Sequence, residues 1–238
     1  MLPKLIKDLN AFSDPSKAKI LSRFFKTGKG EYGEGDVFLG INVPTQRQIA
    51  EKYVNLPLKE VRQLLESKIH EHRLVALMIL QMQYKKASKE IKKQIFDFYI
   101  KYKKYINNWD LIDLSSQYIV GNYLLDKDRT TLYRLAKSDV VWDRRIAIIS
   151  TAAFIRENDF TDTIKISTLL LKDKHDLIQK AVGWMLREVG KRDLGTLENF
   201  LKKNYKTMPR TMLKYAIERF EERRRRWYIE TSRQKRTE

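Results

Sequence analysis

One tryptophan and one aspartate in this sequence are spaced so that they could act together in a chemical step. Trp109 and Asp113 are four residues apart, which places both side chains on one face of a helix. A carboxylate stabilises positive charge that develops in a transition state, and an indole face attracts cations. Because an unpaired carboxylate is costly to bury, we expect Asp113 either in such a site or in a structural ion pair.

Arg145 and Trp184 take related positions relative to small or apolar residues that recur along the chain. Arg145 stands two residues before Ala147, as Trp109 stands two residues before Leu111. Trp184 stands three residues after Ala181, one more than separates Asp113 from Leu111. A repeat architecture would place the four side chains along one groove. Each also has a plainer interpretation. A lone tryptophan is usually part of the core, and Arg145 serves either an ion pair with Asp113 or a phosphate.

The elements that must position these residues are predicted to be helices. Apolar residues recur at i, i+3 and i+4 through most of the chain, which is typical of amphipathic helices. Asn108 is a predicted N-cap for a helix beginning at Trp109, and Pro44 and Pro209 suit first helical turns. Gly and Pro are scarce, at 9 and 5 residues, which disfavours an all-β fold.

An internal repeat is visible in these helical segments. Ala147, Ala181 and Ala216 each lie one or two positions after a basic residue, at intervals of about 34 to 35 residues. Ala76 precedes the first of them by about two such periods, and Leu111 falls at the midpoint. A period of this size predicts an all-α helical-repeat solenoid built from helix pairs.

The charge of the chain indicates a polyanionic partner. The 48 Lys and Arg residues exceed the 30 Asp and Glu residues by 18, and nucleic acid is the commonest polyanion. The alternatives are a highly charged solvated surface and a membrane surface. The length of 238 residues suits one extended domain or two small ones.

Several classes of site are disfavoured by composition. The absence of Cys excludes disulfides and thiolate metal sites, and His70 and His72 would point to different faces of a helix. We therefore expect no metal and no other cofactor. No apolar run approaches the ~18 residues needed to cross a bilayer, and the first residues lack a signal-peptide core, which predicts a soluble, cytoplasmic protein.

Four strings carry a family resemblance. They are Phe38-Leu39-Gly40-Ile41-Asn42-Val43-Pro44, Asn108-Trp109-Asp110-Leu111-Ile112-Asp113, Trp142-Asp143-Arg144-Arg145-Ile146-Ala147 and Ile178-Gln179-Lys180-Ala181-Val182-Gly183-Trp184-Met185-Leu186-Arg187-Glu188. In this order and at nearly this spacing they resemble motifs of the DNA alkylation repair family. The likeness spans most of the chain, and four motifs in order are far more specific than any one.

The resemblance implies a fold, an activity and a set of residues. The fold is a right-handed, HEAT-like or armadillo-like solenoid of antiparallel helix pairs over residues 1–228, with a concave DNA-binding face and a flexible polar tail over residues 229–238. The activity is hydrolysis of the N-glycosidic bond of N3- and N7-alkylated purines in duplex DNA. The implied catalytic residues are Asp113, Trp109 and Trp184, and the implied DNA-binding residues are Arg145, Phe24, Lys180 and Arg187. Phe24 is a departure, because family members can carry a Tyr at this position.

The expected partner is alkylated double-stranded DNA, bound by a monomer at the nucleoid without a membrane or an obligate protein partner. Two other classes remain: a non-catalytic solenoid that binds nucleic acid by charge, and a protein-binding scaffold, which the net charge disfavours. The run Arg223–Arg226 is interpreted as the closing end of a helix, where basic residues suit the helix dipole. It either contacts phosphates or is solvated.

Overall fold

The fold is all-α, as predicted. The structure, a computed structural model, describes residues 1–232. Within that range the regular elements are helices, and the only β-type pairing is an isolated bridge between Val37 and Ile69. None of the helices in these residues combines the length and apolarity that crossing a bilayer requires.

The chain groups into two compact units, and the first ends at Ser115. Its helices are α1 (Leu2–Asn10), α2 (Pro15–Phe24), α3 (Val43–Lys52), α4 (Leu58–Leu65), α5 (His70–Lys86), α6 (Lys89–Tyr102) and α7 (Trp109–Asp113), with a 3-10 turn over Lys103–Tyr105. Helix α5 is buried on nearly all sides through its first eleven residues and packs against α3, α4, α6 and α7. It forms the centre of this unit.

The second unit begins at Ser116. Its helices are α8 (Thr130–Ala136), α9 (Val141–Ser150), α10 (Ala152–Arg156), α11 (Thr161–Leu169), α12 (Asp176–Arg192), α13 (Leu194–Asn204), α14 (Arg210–Ala216) and α15 (Glu222–Thr231), with a π-helical turn over Gln117–Gly121. Helix α9 packs on α12, and α12 packs on α14. This ordered packing of successive repeat helices is the arrangement of a helical-repeat fold.

The predicted repeat positions are buried on the helices that carry them. Ala76, Ala147, Ala181 and Ala216 are all buried, on α5, α9, α12 and α14 respectively. Leu111, at the midpoint of the double interval, is buried on α7. The recurring small residue therefore marks the core-facing side of each repeat helix.

The prediction for the C-terminal arginines is wrong. Helix α14 ends at Ala216, and a new helix, α15, begins at Glu222 with Glu221 as its N-cap. Arg223–Arg226 therefore occupy the first turns of a helix, where cations oppose the helix dipole. Ion pairs of Arg224 with Glu198 and of Arg226 with Glu222 offset part of that cost.

The first residues of the predicted tail, from residue 229, belong to a helix. Helix α15 continues to Thr231, and its Tyr228 is buried against Tyr205 and Phe220. This packing holds the helix beyond the predicted boundary. Residues 233–238 of the predicted tail lie outside the described residues.

Candidate active site

Trp109 and Asp113 are the first and last residues of the short helix α7. The side-chain oxygen of Asn108 accepts the backbone N–H of Trp109 at 2.8 Å, which confirms the predicted N-cap. Beyond the other end, the Ser115 hydroxyl contacts the Tyr99 hydroxyl at 2.9 Å and donates to the Leu111 carbonyl at 2.5 Å. A five-residue helix has little stability of its own, so these side-chain contacts fix the orientation of both site residues.

The last residue of α2 and the residue after it place aromatic rings against the Trp109 indole. The ring of Phe25 lies nearly parallel to it, with centroids 5.2 Å apart and planes inclined by 14°. The ring of Phe24 meets it edge-on at 6.0 Å and is 61% exposed. Both geometries are favourable for aromatic pairs. Phe24, predicted at the DNA, is thus next to Trp109, and it presents an open apolar surface beside the partly exposed indole.

The aromatic contacts continue into the core. Phe25 stacks on Phe38 at 5.0 Å, and Phe38 stacks on the imidazole of His70 at 4.5 Å. Trp109, Phe25, Phe38 and His70 form a continuous column, called the aromatic column below. It connects the partly exposed indole with the first residue of α5.

A buried set of charged groups lies at the inner end of this column. His70 Nε2 is 2.8 Å from Asp110 Oδ2, and His70 Nδ1 is 3.1 Å from Asp36 Oδ2. Arg73 NH2 is 2.7 Å from the same Asp36 oxygen. Burial alone would lower the pKa of His70, but the charges and hydrogen bonds of Asp110 and Asp36 raise it to about 8. Burial opposes ionisation of Asp36, yet hydrogen bonding from His70 and the Arg73 charge hold its pKa below the usual range. We call Asp36, His70, Arg73 and Asp110 the buried charge network.

The string Leu39-Gly40-Ile41 is held by a carboxylate from α5. Buried Glu71 accepts the backbone N–H groups of these three residues at 3.0, 2.8 and 3.3 Å. Gly40 has φ +86°, and a Cβ there would lie 2.2 Å from the Asp14 carbonyl oxygen. A glycine is required on both counts. The segment thereby brings Phe38 into the aromatic column.

In the second unit, Arg145 is a buried side chain of α9. It is 5% exposed, and its guanidinium donates to the Leu177 carbonyl at 2.5 Å, at the start of α12. This bond between the Arg145 side chain and the Leu177 backbone ties two successive repeat helices together. A structural role therefore accompanies any contact that Arg145 makes with DNA.

The other predicted residues of the second unit lie on α12. The Trp184 indole is partly exposed and donates to Glu188 at 3.1 Å. Lys180 pairs with Asp176 at 2.7 Å, and Arg187 pairs with Glu218 and with Glu188. These cations are partnered by carboxylates in the DNA-free protein, so phosphates would have to compete with those carboxylates.

Sequence reasoning missed Phe25 and the whole buried charge network. Asp110 lies in one of the four strings, and its place directly after Trp109 could have marked it as a candidate site residue. His70 and Asp36 were not identifiable, because their contacts join residues 40 and 34 positions apart. Within the described residues, no group of three or more His, Cys, Asp or Glu side chains is arranged to hold a metal ion.

Comparisons with known proteins agree with this picture. A family model described as DNA alkylation repair enzyme matches residues 5–220. A solved structure described as a predicted DNA alkylation repair enzyme from Enterococcus faecalis superposes with a TM-score of 0.68. The two sequences are 17% identical, and the superposition covers 88% of this chain and 97% of the Enterococcus faecalis chain. At this identity the likeness shows the fold. No curated protein sequence matches significantly.

Proposed function

This chain belongs to the family of DNA alkylation repair enzymes, and from that membership we propose that it is a DNA glycosylase for N3- and N7-alkylated purines in duplex DNA. The observation that supports this most directly is the pairing of Asp113 with Trp109 on one short, side-chain-anchored helix. An anionic group and an electron-rich ring are thereby presented together. That combination suits a reaction in which positive charge develops on a sugar.

With this substrate, a carboxylate is sufficient to catalyse the release of the base. An N3- or N7-alkylated purine carries a positive charge, so it leaves with the bonding electron pair as a neutral base and needs no acid. As the C1′–N bond breaks, the sugar becomes an oxocarbenium-like cation. Asp113 stabilises that cation and orients the water that attacks C1′, as carboxylates do in glycoside hydrolysis. The water loses a proton to the solvent, and the products are the free base and an abasic site.

The remaining residues bind and orient the DNA. The face of Trp109 attracts the cationic base and sugar, and Phe24 offers an apolar edge beside it. In the second unit, Trp184 offers another indole face for a cationic group of the DNA. Arg145, Lys180 and Arg187 supply positive charge for phosphates, which sets the register of the duplex on the protein. The net charge of +18 contributes affinity that does not depend on base sequence.

Release of free base from methylated duplex DNA tests the activity. Purified protein in excess over duplex that contains 7-methylguanine or 3-methyladenine should release the alkylated base, and the abasic strand should then break in hot alkali. EDTA should leave the rate unchanged, since no step calls for a metal. Saturated binding without any released base would replace this proposal with a nucleic-acid-binding module. Activity that EDTA abolishes and a divalent metal restores would overturn the cofactor-free chemistry.

A further inference from the structure

The two carboxylate contacts of His70 favour a doubly protonated ring over a neutral ring whose Nδ1 accepts from Arg73 at 3.5 Å. Each of its two ring nitrogens lies within hydrogen-bond distance of a carboxylate oxygen. Carboxylates only accept hydrogen bonds, and a neutral imidazole has one N–H donor. Both contacts therefore form only in the imidazolium, which is 2% exposed at the inner end of the aromatic column.

His70 reaches the candidate site by two routes. Asp110 follows Trp109 in α7, and its other oxygen, Oδ1, is buried and accepts no hydrogen bond within the described residues. His70 is therefore the main partner that stabilises the charge of Asp110. The His70 ring also supports Phe38, and through Phe38 and Phe25 it supports the inner face of the Trp109 indole.

We propose that protonated His70 is a positioning residue, which holds α7 through Asp110 so that Trp109 and Asp113 face the substrate together. His70 itself does not touch DNA, because its side chain is buried. The expected effect on base release rests on the proposed function, whereas the expected effect on the local stability of α7 does not.

The pH dependence has a definite sign. The groups that face His70 are Asp36 from the loop before α3, Asp110 from α7 and Arg73 from its own helix. The two carboxylates outweigh burial and the Arg73 charge, and the pKa of His70 is raised to about 8 from 6.5. A raised histidine pKa means that the stabilisation is fully present below about pH 6.5 and is lost as pH rises through about 8. The α7 anchor should therefore weaken above about pH 8.

The test compares His70→Gln with His72→Gln. Both histidines are buried on α5, but the hydrogen bond of the His72 ring goes to the Ser67 hydroxyl and not to a carboxylate of the network. We expect both variants to lower the melting temperature. Only His70→Gln should speed hydrogen exchange of the amides in residues 109–115, by about 10-fold or more. At saturating DNA only His70→Gln should slow single-turnover base release, by about 10²-fold, the order that misplaced reacting groups cost.

A pH series separates positioning from general destabilisation. The ratio of the wild-type rate to the His70→Gln rate cancels the substrate's own pH dependence, and it should fall above about pH 8. A ratio constant from pH 6.5 to 9, or equal effects of the two variants on α7 exchange and rate, would overturn the proposal. If wild-type protein releases no base, the proposed function fails, and α7 exchange in the two variants still decides the role of His70.

Discussion

Arg145 combines a predicted role in DNA binding with a buried position. Its guanidinium lies beneath the surface of α9 and donates to the Leu177 backbone at the start of α12. Leaving that carbonyl without its charged donor removes a contact worth ~1–3 kcal/mol. The residue therefore contributes to the stability of the repeat stack, whatever it contributes to phosphate binding.

Substitution of Arg145 should consequently affect the DNA-free protein. Arg145→Ala is expected to lower the free energy of unfolding by ~1–3 kcal/mol, measured by urea denaturation without DNA. Arg134→Ala is the matched control, because Arg134 is an exposed arginine on α8 in the same unit. Equal stability of the two variants would leave Arg145 with a DNA-binding role alone.

Residues whose structure is set locally were predictable from sequence. The Asn108 cap, the shared helix of Trp109 and Asp113, and Pro44 near the start of α3 follow from neighbours within four positions. The buried charge network was not predictable, because it joins a loop, α5 and α7 across separations of 34 and 40 residues. Phe24 was recognised and Phe25 was not, since only the fold shows which ring stacks on Trp109.

At the element scale, the approach of α12 to α14 depends on one glycine. A Cβ at Gly183 would lie 2.5 Å from the Met212 carbonyl oxygen and 2.5 Å from Tyr215 Cβ. Both are too close for real contacts, and the carbonyl belongs to a helix backbone that cannot turn aside. The close packing of α12 on α14 therefore explains the glycine directly before Trp184.

Gly183→Ala should force the two helices apart. We expect a loss of ~1–3 kcal/mol in the free energy of unfolding, seen as a lower melting temperature. Gly195→Ala is the control, because a Cβ there would meet only Asp193 Oδ1, at 3.3 Å. That change should be neutral or slightly stabilising, since alanine favours the helix. A Gly183→Ala protein as stable as wild type would contradict the close packing.

Helix boundaries show where sequence reasoning fails at this scale. The apolar period identified most helices, but the turn between α14 and α15 carries no glycine or proline. The arginine run was consequently assigned to the closing end of a helix instead of its first turns. Tertiary packing of Tyr228, not local sequence, fixes where α15 lies.

At the scale of the whole molecule, a net charge of +18 predicts that binding to DNA is mainly electrostatic. Binding to undamaged duplex should weaken with added salt, with log affinity linear in log salt concentration. If six or more phosphates are contacted, affinity should fall ~10³-fold or more between 50 and 200 mM salt. Fluorescence anisotropy measures this directly, and an affinity that does not depend on salt would contradict a phosphate-binding surface.

Arg223–Arg226 provide a test of which charges take part. Of the four, Arg224 and Arg226 are paired with glutamates. Replacing all four with Ala should flatten the salt dependence if α15 contacts phosphates. An unchanged slope would show that the run lies outside the DNA-binding surface.

The proposed mechanism requires the Asp113 carboxylate to accelerate base release, and Asp113→Asn removes the charge on which that acceleration depends. The variant keeps the shape of the side chain and removes its charge. Single-turnover release of 7-methylguanine at saturating protein should fall by at least about 10²-fold, while duplex affinity and melting temperature stay near wild type. Asp97→Asn, at an exposed aspartate on α6, should leave all three unchanged. An Asp113→Asn protein that folds, binds DNA and releases base at the wild-type rate would contradict the account.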